Sequence, residues 1–316
     1  MSGTTAAFAA PGTFHNRAVL ITGGAGTLGR PLSIALARAG ANVVVNDLGS
    51  SPHHATSTSA STQHNPASSL VAELTSLGLS AIASTLNVTT SSAEIIDLAI
   101  ATFGRIDAIV NCVSIHPFAP FEDQDADMCR KALETNVLGP MQVLRAAWPH
   151  FKRQGYGRVV NFTSDSIFGM ENSAAYVASK GAILGLTRSL ALEGKDFGVC
   201  VNAVAPIAYP PMVMTAWEMF PEEQKEWFKG TFTAESNVPM LMALASEECT
   251  VSGELFEVGA WAVGRMVLGT AKGVGGLRIM EDCLGKIGDI TARGTTAEVL
   301  EPKNVAEYFP FKAGYI

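Results

Sequence analysis

Tyr176 and Lys180 stand four residues apart in Ala175-Tyr-Val-Ala-Ser-Lys180. On a helix that spacing sets both side chains on one face. An ammonium beside a phenol favours the phenolate and lowers its pKa. Upstream, Asn161-Phe-Thr-Ser-Asp-Ser-Ile-Phe-Gly169 continues the apolar run Arg158-Val-Val-Asn161, which reads as a buried parallel strand. A hydroxyl at that strand's end, Ser164 or Thr163, can share a substrate oxygen with the phenol. Hydroxyl, phenol and ammonium together make a proton-delivery device for carbonyl or imine chemistry. Asp165 follows Ser164 directly. A carboxylate there opposes an alkoxide developing on a ketone. It stabilises a cationic acceptor such as an iminium by Coulomb attraction.

The elements that must position these groups are legible from punctuation. Arg17 to Thr22 is a first strand, and Thr22-Gly-Gly-Ala-Gly-Thr-Leu-Gly-Arg30 turns it into an apolar helix from Pro31 to Ala39. A glycine turn between strand and helix lets backbone N–H groups approach a pyrophosphate at the helix N-terminus. Asn42 to Asp47 is a second strand, and Asp47 at its end is placed for the ribose hydroxyls of NAD. Arg30 can offset that charge, so the choice between NAD and NADP stays open. Helices at 67–77, 92–103, 125–151 and 176–194 alternate with strands at 80–84, 106–110, 158–161 and 199–204. Such alternation predicts an α/β fold, a doubly wound parallel sheet of Rossmann type with helices on both faces. Ligands of open α/β sheets bind at the strands' C-terminal ends. Those ends carry Gly23, Asp47, Asn111, Ser164 and Pro206.

Bulk properties exclude several classes. A net charge of −7 argues against nucleic acid. No uncharged apolar run reaches membrane-spanning length. Five scattered cysteines, without a CxxC pair, suit reduced thiols in a cytoplasmic protein. Three histidines fall in the polar segment 49–66, with no Cys or carboxylate beside them to complete a metal set. The domain reading is a leader over 1–16, a catalytic domain over 17–262 with a substrate cap at about 206–235, and a C-terminal tail over 263–316. Trp217 and Trp227 in the cap point to a large, flat, apolar ligand.

These motifs resemble the short-chain dehydrogenase/reductase family across roughly residues 17–260. The glycine run is similar to that family's TGxxxGxG, with Thr27 in place of the middle glycine, and Asn161-Phe-Thr-Ser164 is similar to its Asn-Ile-Ser-Ser. The resemblance implies Tyr176, Lys180, Ser164 and Asn136 as catalytic residues, Asn136 holding a water linked to Lys180. Thr163 remains a rival to Ser164 because the spacing to Tyr176 is one residue short. It implies cofactor contacts at Gly23, Gly26, Thr27, Leu28, Asp47, Asn87, Val88, Asn111, Tyr176, Lys180, Pro206 and Ile207. The pattern departs from the family at Val113-Ser114, where Ala-Gly is usual, and at Ile207, where a glycine is usual.

Two narrower resemblances lead in different directions. Leu255-Phe-Glu-Val-Gly259 and Val-Val-Asn-Asp-Leu-Gly49 are similar to peroxisomal multifunctional 3-hydroxyacyl-CoA dehydrogenases. Asp165 after Thr-Ser, Arg130, and Pro206-Ile-Ala-Tyr-Pro-Pro resemble the fungal bifunctional reductase/Diels–Alderases of malbrancheamide and paraherquamide biosynthesis. The second implies reduction by NADPH, with NADH also admissible given Asp47. The acceptor is an iminium in a prenylated indole–proline cyclic dipeptide, and a stereocontrolled [4+2] closure to a bicyclo[2.2.2]diazaoctane alkaloid follows. Asp165 and Arg130 would orient the substrate, with Trp217 and Trp227 around it. Family analogy implies a homo-oligomer, dimer or tetramer, without metal. A third expectation, a non-catalytic nucleotide or partner binder, is opposed by intact Tyr176, Lys180 and Asn136.

Overall fold

The central strands are short, rich in β-branched residues and buried along their length, and alternate residues of each serve opposite faces. In β1 (Ala18–Thr22), Val19 and Ile21 enter one core and Leu20 the other. In β2 (Asn42–Asn46), Val43 and Val45 join the first core and Val44 the second. β4 (Ala108–Asn111) and β5 (Gly157–Phe162) divide in the same way. A period of two on a strand buried on both sides produces this split. The first core is closed by Leu32 and Leu36 of α1 (Gly29–Arg38) and by Leu70 and Leu74 of α2 (Pro66–Ser76). The second is closed by Ile95 and Ile96 of α3 (Ser92–Phe103) and by Val143 and Phe151 of α5 (Gly139–Gln154).

This is a computed structural model, and it describes residues 8–10, 12–49, 65–210, 221–271, 280, 286 and 299–300. The remaining strands of the main sheet are β3 (Ala81–Ser84), β6 (Val199–Pro206), β7 (Leu255–Gly259) and β8 (Ala262–Met266). Strand order is β3-β2-β1-β4-β5-β6-β7-β8. Every pairing from β3 through β7 is parallel. The expected doubly wound fold is the fold observed. The order reverses between β1 and β4, and that crevice is where such sheets bind ligand. The chain divides into two compact units, Met1–Arg265 and Met266–Ile316. In the second, β9 (Thr270–Ala271) pairs antiparallel with β10 (Val299–Leu300).

Two elements differ from the sequence reading. The helix expected over 125–151 is α4 (Ala126–Leu133), a π turn over Glu134–Leu138, then α5. Pro140 has no N–H to offer the Asn136 carbonyl four residues back, so the regular ladder cannot run through this point. Gly139 is required beside it, because a Cβ there would lie 2.7 Å from Val88 Cγ2. The strand expected to be last is followed by β8. Ala260 and Trp261 both take positive φ, the signature of a two-residue hairpin turn. α6 (Ala174–Gly194) carries the Tyr–Lys pair, and α7 (Glu222–Thr231) and α8 (Val238–Ala245) precede β7. The expectations for 1–7, for 50–64, for Trp217 and for the end of the tail lie outside the described residues.

Candidate active site

Thr22, Asn46, Asn111 and Asn161 align in register across four neighbouring strands. They form a buried polar row at the strands' C-terminal ends. Asn111 Nδ2 donates to Asn161 Oδ1 at 2.9 Å, and Asn161 Nδ2 to Thr187 Oγ1 of α6 at 3.0 Å. Asn111 Oδ1 is buried without a donor. A buried acceptor left unpaired is costly, so this row ends in one open hydrogen-bonding position.

The turn after β1 is built for close approach. Gly23 takes φ +65°, and a Cβ there would lie 3.1 Å from the Val113 backbone. A Cβ on Gly29 would overlap the Gly23 carbonyl oxygen. Gly26 and Thr27 are exposed at the tip, and Leu28 is the residue before α1. Asp47 stands half-buried at the end of β2 and braces this turn. Its carboxylate accepts from Ala25 N at 3.2 Å and from Gly49 N at 2.9 Å, while burial raises its pKa. Asn87 Oδ1 accepts from Thr89 N and Oγ1, both at 2.8 Å, and Val88 is buried beside it. A dinucleotide fits this cradle: space kept free of Cβ atoms, a helix N-terminus, and a carboxylate at the end of β2. Gly29→Ala is expected to abolish dinucleotide binding by isothermal calorimetry and to cost about 1–3 kcal/mol of stability from overpacking.

Lys180 is 2 % exposed, and its Nζ donates to the Phe162 carbonyl at 2.9 Å. Its ammonium sits 5.5 Å from the centroid of the Tyr176 ring. Burial lowers the Lys180 pKa to about 8. Burial also dominates at Tyr176, which is pushed up to about 12 although its hydrogen bond with Ser164 acts to lower it. This corrects the expectation that Lys180 draws the phenol down: desolvation of the phenolate, reinforced by the Asp165 charge, sets the direction. The phenol is therefore held as a proton donor. Asp165 is exposed, and its Oδ1 lies 3.1 Å from the Ser164 hydroxyl. Thr163 is buried, and its hydroxyl donates to the Lys180 carbonyl at 2.8 Å. Of the two rival hydroxyls, Ser164 is the one that meets the phenol.

Asn136 is buried and engaged through its whole side chain. Its Oδ1 accepts from Ile115 N at 2.8 Å and Ser114 Oγ at 3.2 Å. Its Nδ2 donates to Ile115 O at 2.8 Å and Ser179 Oγ at 3.0 Å. The side chain's capacity is spent on clamping the segment after β4, so a water linked to Lys180 would bond the Asn136 backbone carbonyl, to which Pro140 offers no N–H. Arg130 is exposed on α4 and pairs with Asp127, one turn back. It makes no ion pair with Asp165. Pro206 ends β6, and Ile207 bonds through its N–H to Val258 O at 2.8 Å and through its carbonyl to Asn237 Nδ2 at 3.0 Å. The missing glycine is thus replaced by a pinned backbone. Trp227 is 61 % exposed, its ring edge-on to Phe232 at 5.5 Å.

Sequence reasoning missed His116. Its ring stacks on Tyr176 with centroids 3.8 Å apart and planes 13° apart. Nothing local in Ser114-Ile-His-Pro117 signals this, because the partner lies sixty residues away on another element. Gly29 was legible as the last glycine of the run after β1 and needed only the turn's geometry to acquire a role.

A family model described as short chain dehydrogenase matches residues 17–219. The chain is 37% identical over 262 residues to a mouse peroxisomal multifunctional enzyme type 2, covering 82% of this chain and 34% of that protein. It is 36% identical over 250 residues to a Neurospora crassa peroxisomal hydratase-dehydrogenase-epimerase, covering 78% of this chain and 25% of that protein. The chain thus spans about a third or a quarter of the length of those relatives. With a putative short-chain type dehydrogenase/reductase of Mycobacterium tuberculosis the identity is 36%, over 80% of this chain and 86% of that one. The crystal structure of a short chain dehydrogenase from Mycobacterium avium superposes with TM-score 0.75 at 27% identity, covering 91% of this chain and 98% of that one. Among the described residues, no helix is long and apolar enough to cross a membrane. Two of these relatives are peroxisomal by name, so similarity does not support the expected cytoplasmic location. With its sheet, glycine turn and Tyr–Lys helix in place, this chain belongs to the short-chain dehydrogenase/reductase family.

Proposed function

We propose that this chain reduces a cationic carbon–nitrogen double bond: the iminium of a prenylated indole–proline cyclic dipeptide, followed by stereocontrolled [4+2] closure. The observation that carries this reading is Asp165, a carboxylate hydrogen-bonded to Ser164 at the mouth of the site. Negative charge there opposes an alkoxide and favours an iminium. The bound dinucleotide supplies hydride. The chain's own residues then orient the acceptor: Asp165 by charge, Ser164 by its hydroxyl, and Tyr176 and Lys180 as the wall behind them. Cycloaddition asks only for orientation, and Trp227 offers an aromatic face for it. Arg130 supports this reading less than expected, being committed to Asp127.

A second reading, oxidation or reduction of a 3-hydroxyacyl thioester, has the more direct support from similarity, through the two peroxisomal relatives at 36% and 37% identity. Under it the protonated Tyr176 delivers its proton to the developing alkoxide. For the dinucleotide, Asp47 and the 2.8 Å pairing of Arg30 with Glu73 favour NADH, since neither leaves a cation for a 2′-phosphate. The resemblance to the fungal reductases favours NADPH. Assembly as a dimer or tetramer in the cytoplasm belongs to the same proposal.

The test is a single turnover under nitrogen with a prenylated indole–proline dipeptide aldehyde, run with NADPH and NADH in parallel. One enantiomer of the bridged bicycle with cofactor consumed supports both steps. Racemic product with cofactor consumed leaves a reductase alone. No consumption, together with turnover of a 3-ketoacyl thioester, overturns the first reading in favour of the second. Asp165→Ala is expected to lower iminium reduction at least about tenfold and to spare ketone reduction. Tyr176 stays protonated through neutral pH, whereas Lys180 loses its charge above about 8. Ketone reduction is therefore expected to hold below pH 8 and to fall above it, a limb that Lys180→Met removes from the kcat/KM profile.

A further inference from the structure

His116 belongs to the segment between β4 and α4, which is stitched to the start of the catalytic helix. Ala119 N donates to Asn172 O at 2.9 Å, and Gln124 bridges Ala119 O at 2.8 Å and Ala175 N at 3.0 Å. His116 adds a side-chain tie, with Nε2 2.9 Å from Ser173 Oγ. Ser173 is fully buried, and its hydroxyl donates to Glu171 O at 3.1 Å. A hydroxyl has one proton, so Ser173 must accept from His116, and Nε2 carries the hydrogen. The tautomer is thereby fixed and the ring plane with it. That plane lies parallel to the phenol at 3.8 Å, within stacking distance.

Two consequences follow for Tyr176. One face of the phenol is closed to water by a flat ring. Swinging the phenol about its Cα–Cβ bond toward His116 would drive one ring into the other, so the hydroxyl cannot leave Ser164 on that side. The imidazole itself remains neutral, its pKa lowered to about 4 by burial and by the Lys180 charge. The charged groups bearing on the pair are Lys180 from α6 and Asp165 from the turn after β5.

We propose that His116 is a positioning residue for Tyr176: held by Ser173, its ring seals and orients the phenol and keeps it in the proton-bearing form that suits reduction. The proposal rests on Tyr176 being the phenol of the reactive site, and its first test needs no substrate. His116→Phe keeps a flat ring and loses the bond to Ser173. His116→Gln keeps an amide N–H for Ser173 and loses the ring. Each is labelled with ¹³Cζ-tyrosine, and the Tyr176 resonance is assigned by its absence in Tyr176→Phe.

At pH 10.5 the resonance is expected to stay at its neutral position in the wild type and in His116→Phe. In His116→Gln it is expected to move toward the phenolate position, reflecting a pKa lower by about one unit or more once water reaches the ring. In turnover of whichever substrate the chain reduces, His116→Gln is expected to lose about tenfold in kcat with KM changed less than about threefold, and His116→Phe to be spared. Should the Gln variant fail to fold, His116→Ala carries the same expectation. An unmoved Tyr176 resonance in the ringless variant, or an equal shift in the Phe variant, overturns the proposal. Failure of both candidate substrates with the expected titration overturns only the functional reading.

Discussion

Tyr176→Phe is expected to lower ketone or ketoacyl reduction by about 10²–10⁴-fold in kcat, the usual worth of a positioned general acid. The same substitution is expected to leave iminium reduction within about tenfold. The reason is stoichiometric: hydride addition to a ketone makes an oxyanion that must be protonated, whereas addition to an iminium gives a neutral amine. Phe preserves the ring that His116 stacks on and removes only the hydroxyl that meets Ser164. Steady-state kinetics on a 3-ketoacyl thioester and on the dipeptide iminium, run on one preparation, therefore separate the two readings. Equal large losses on both substrates would end the cation argument built on Asp165.

A second large effect is expected far from the chemistry. Asp107 opens the approach to β4 at the end of the sheet opposite the site and is 1 % exposed. Its carboxylate accepts from Arg105 Nη2 at 2.6 Å and Arg17 Nη1 at 3.2 Å through Oδ1. It accepts from Arg105 Nε at 2.6 Å and Ala18 N at 2.9 Å through Oδ2. The Arg17 and Arg158 guanidinium groups flank the Tyr156 ring at 4.5 Å and 4.4 Å. Asp107→Ala leaves the buried Ala18 N–H without its acceptor and two partly exposed arginines without their carboxylate. Loss of a buried acceptor costs about 1–3 kcal/mol, on the order of 5 °C in melting temperature for a chain of this size. Calorimetry checks the loss, and kcat measured well below the transition should be unchanged.

The sheet was legible because its strands announce themselves twice, by β-branched composition and by glycine or asparagine at their ends. The π turn was not, because the 3.6-residue period of 125–151 survives it and only Pro140 marks the place. β8 was missed because Ala260-Trp261 is not a usual hairpin dipeptide, although both residues adopt the left-handed turn. Within the site, the Tyr–Lys spacing and Asp47 were readable as local patterns. The pairing of Arg130 with Asp127 was equally local, an i,i+3 contact, and outweighed a resemblance that assigned Arg130 a longer-range role. His116 was beyond reach, since stacking depends on two elements meeting. The direction of the Tyr176 shift was misjudged because a sequence displays charges but not the depth at which they lie.

The four bonds made by Asn136 carry one more implication. They convert the residues after β4 from a loop into an extension of the helix that faces them. Ile115 belongs to no strand, yet its amide is captured by Asn136 Oδ1 at 2.8 Å. Its hydrogen should exchange with deuterated solvent on the timescale of core strands rather than of turns, and Asn136→Ala should return it to the fast class. A floor that does not breathe gives the phenol and its stacked imidazole a fixed frame, so a ligand must be admitted by side-chain rearrangement above them and not by parting of the backbone beneath.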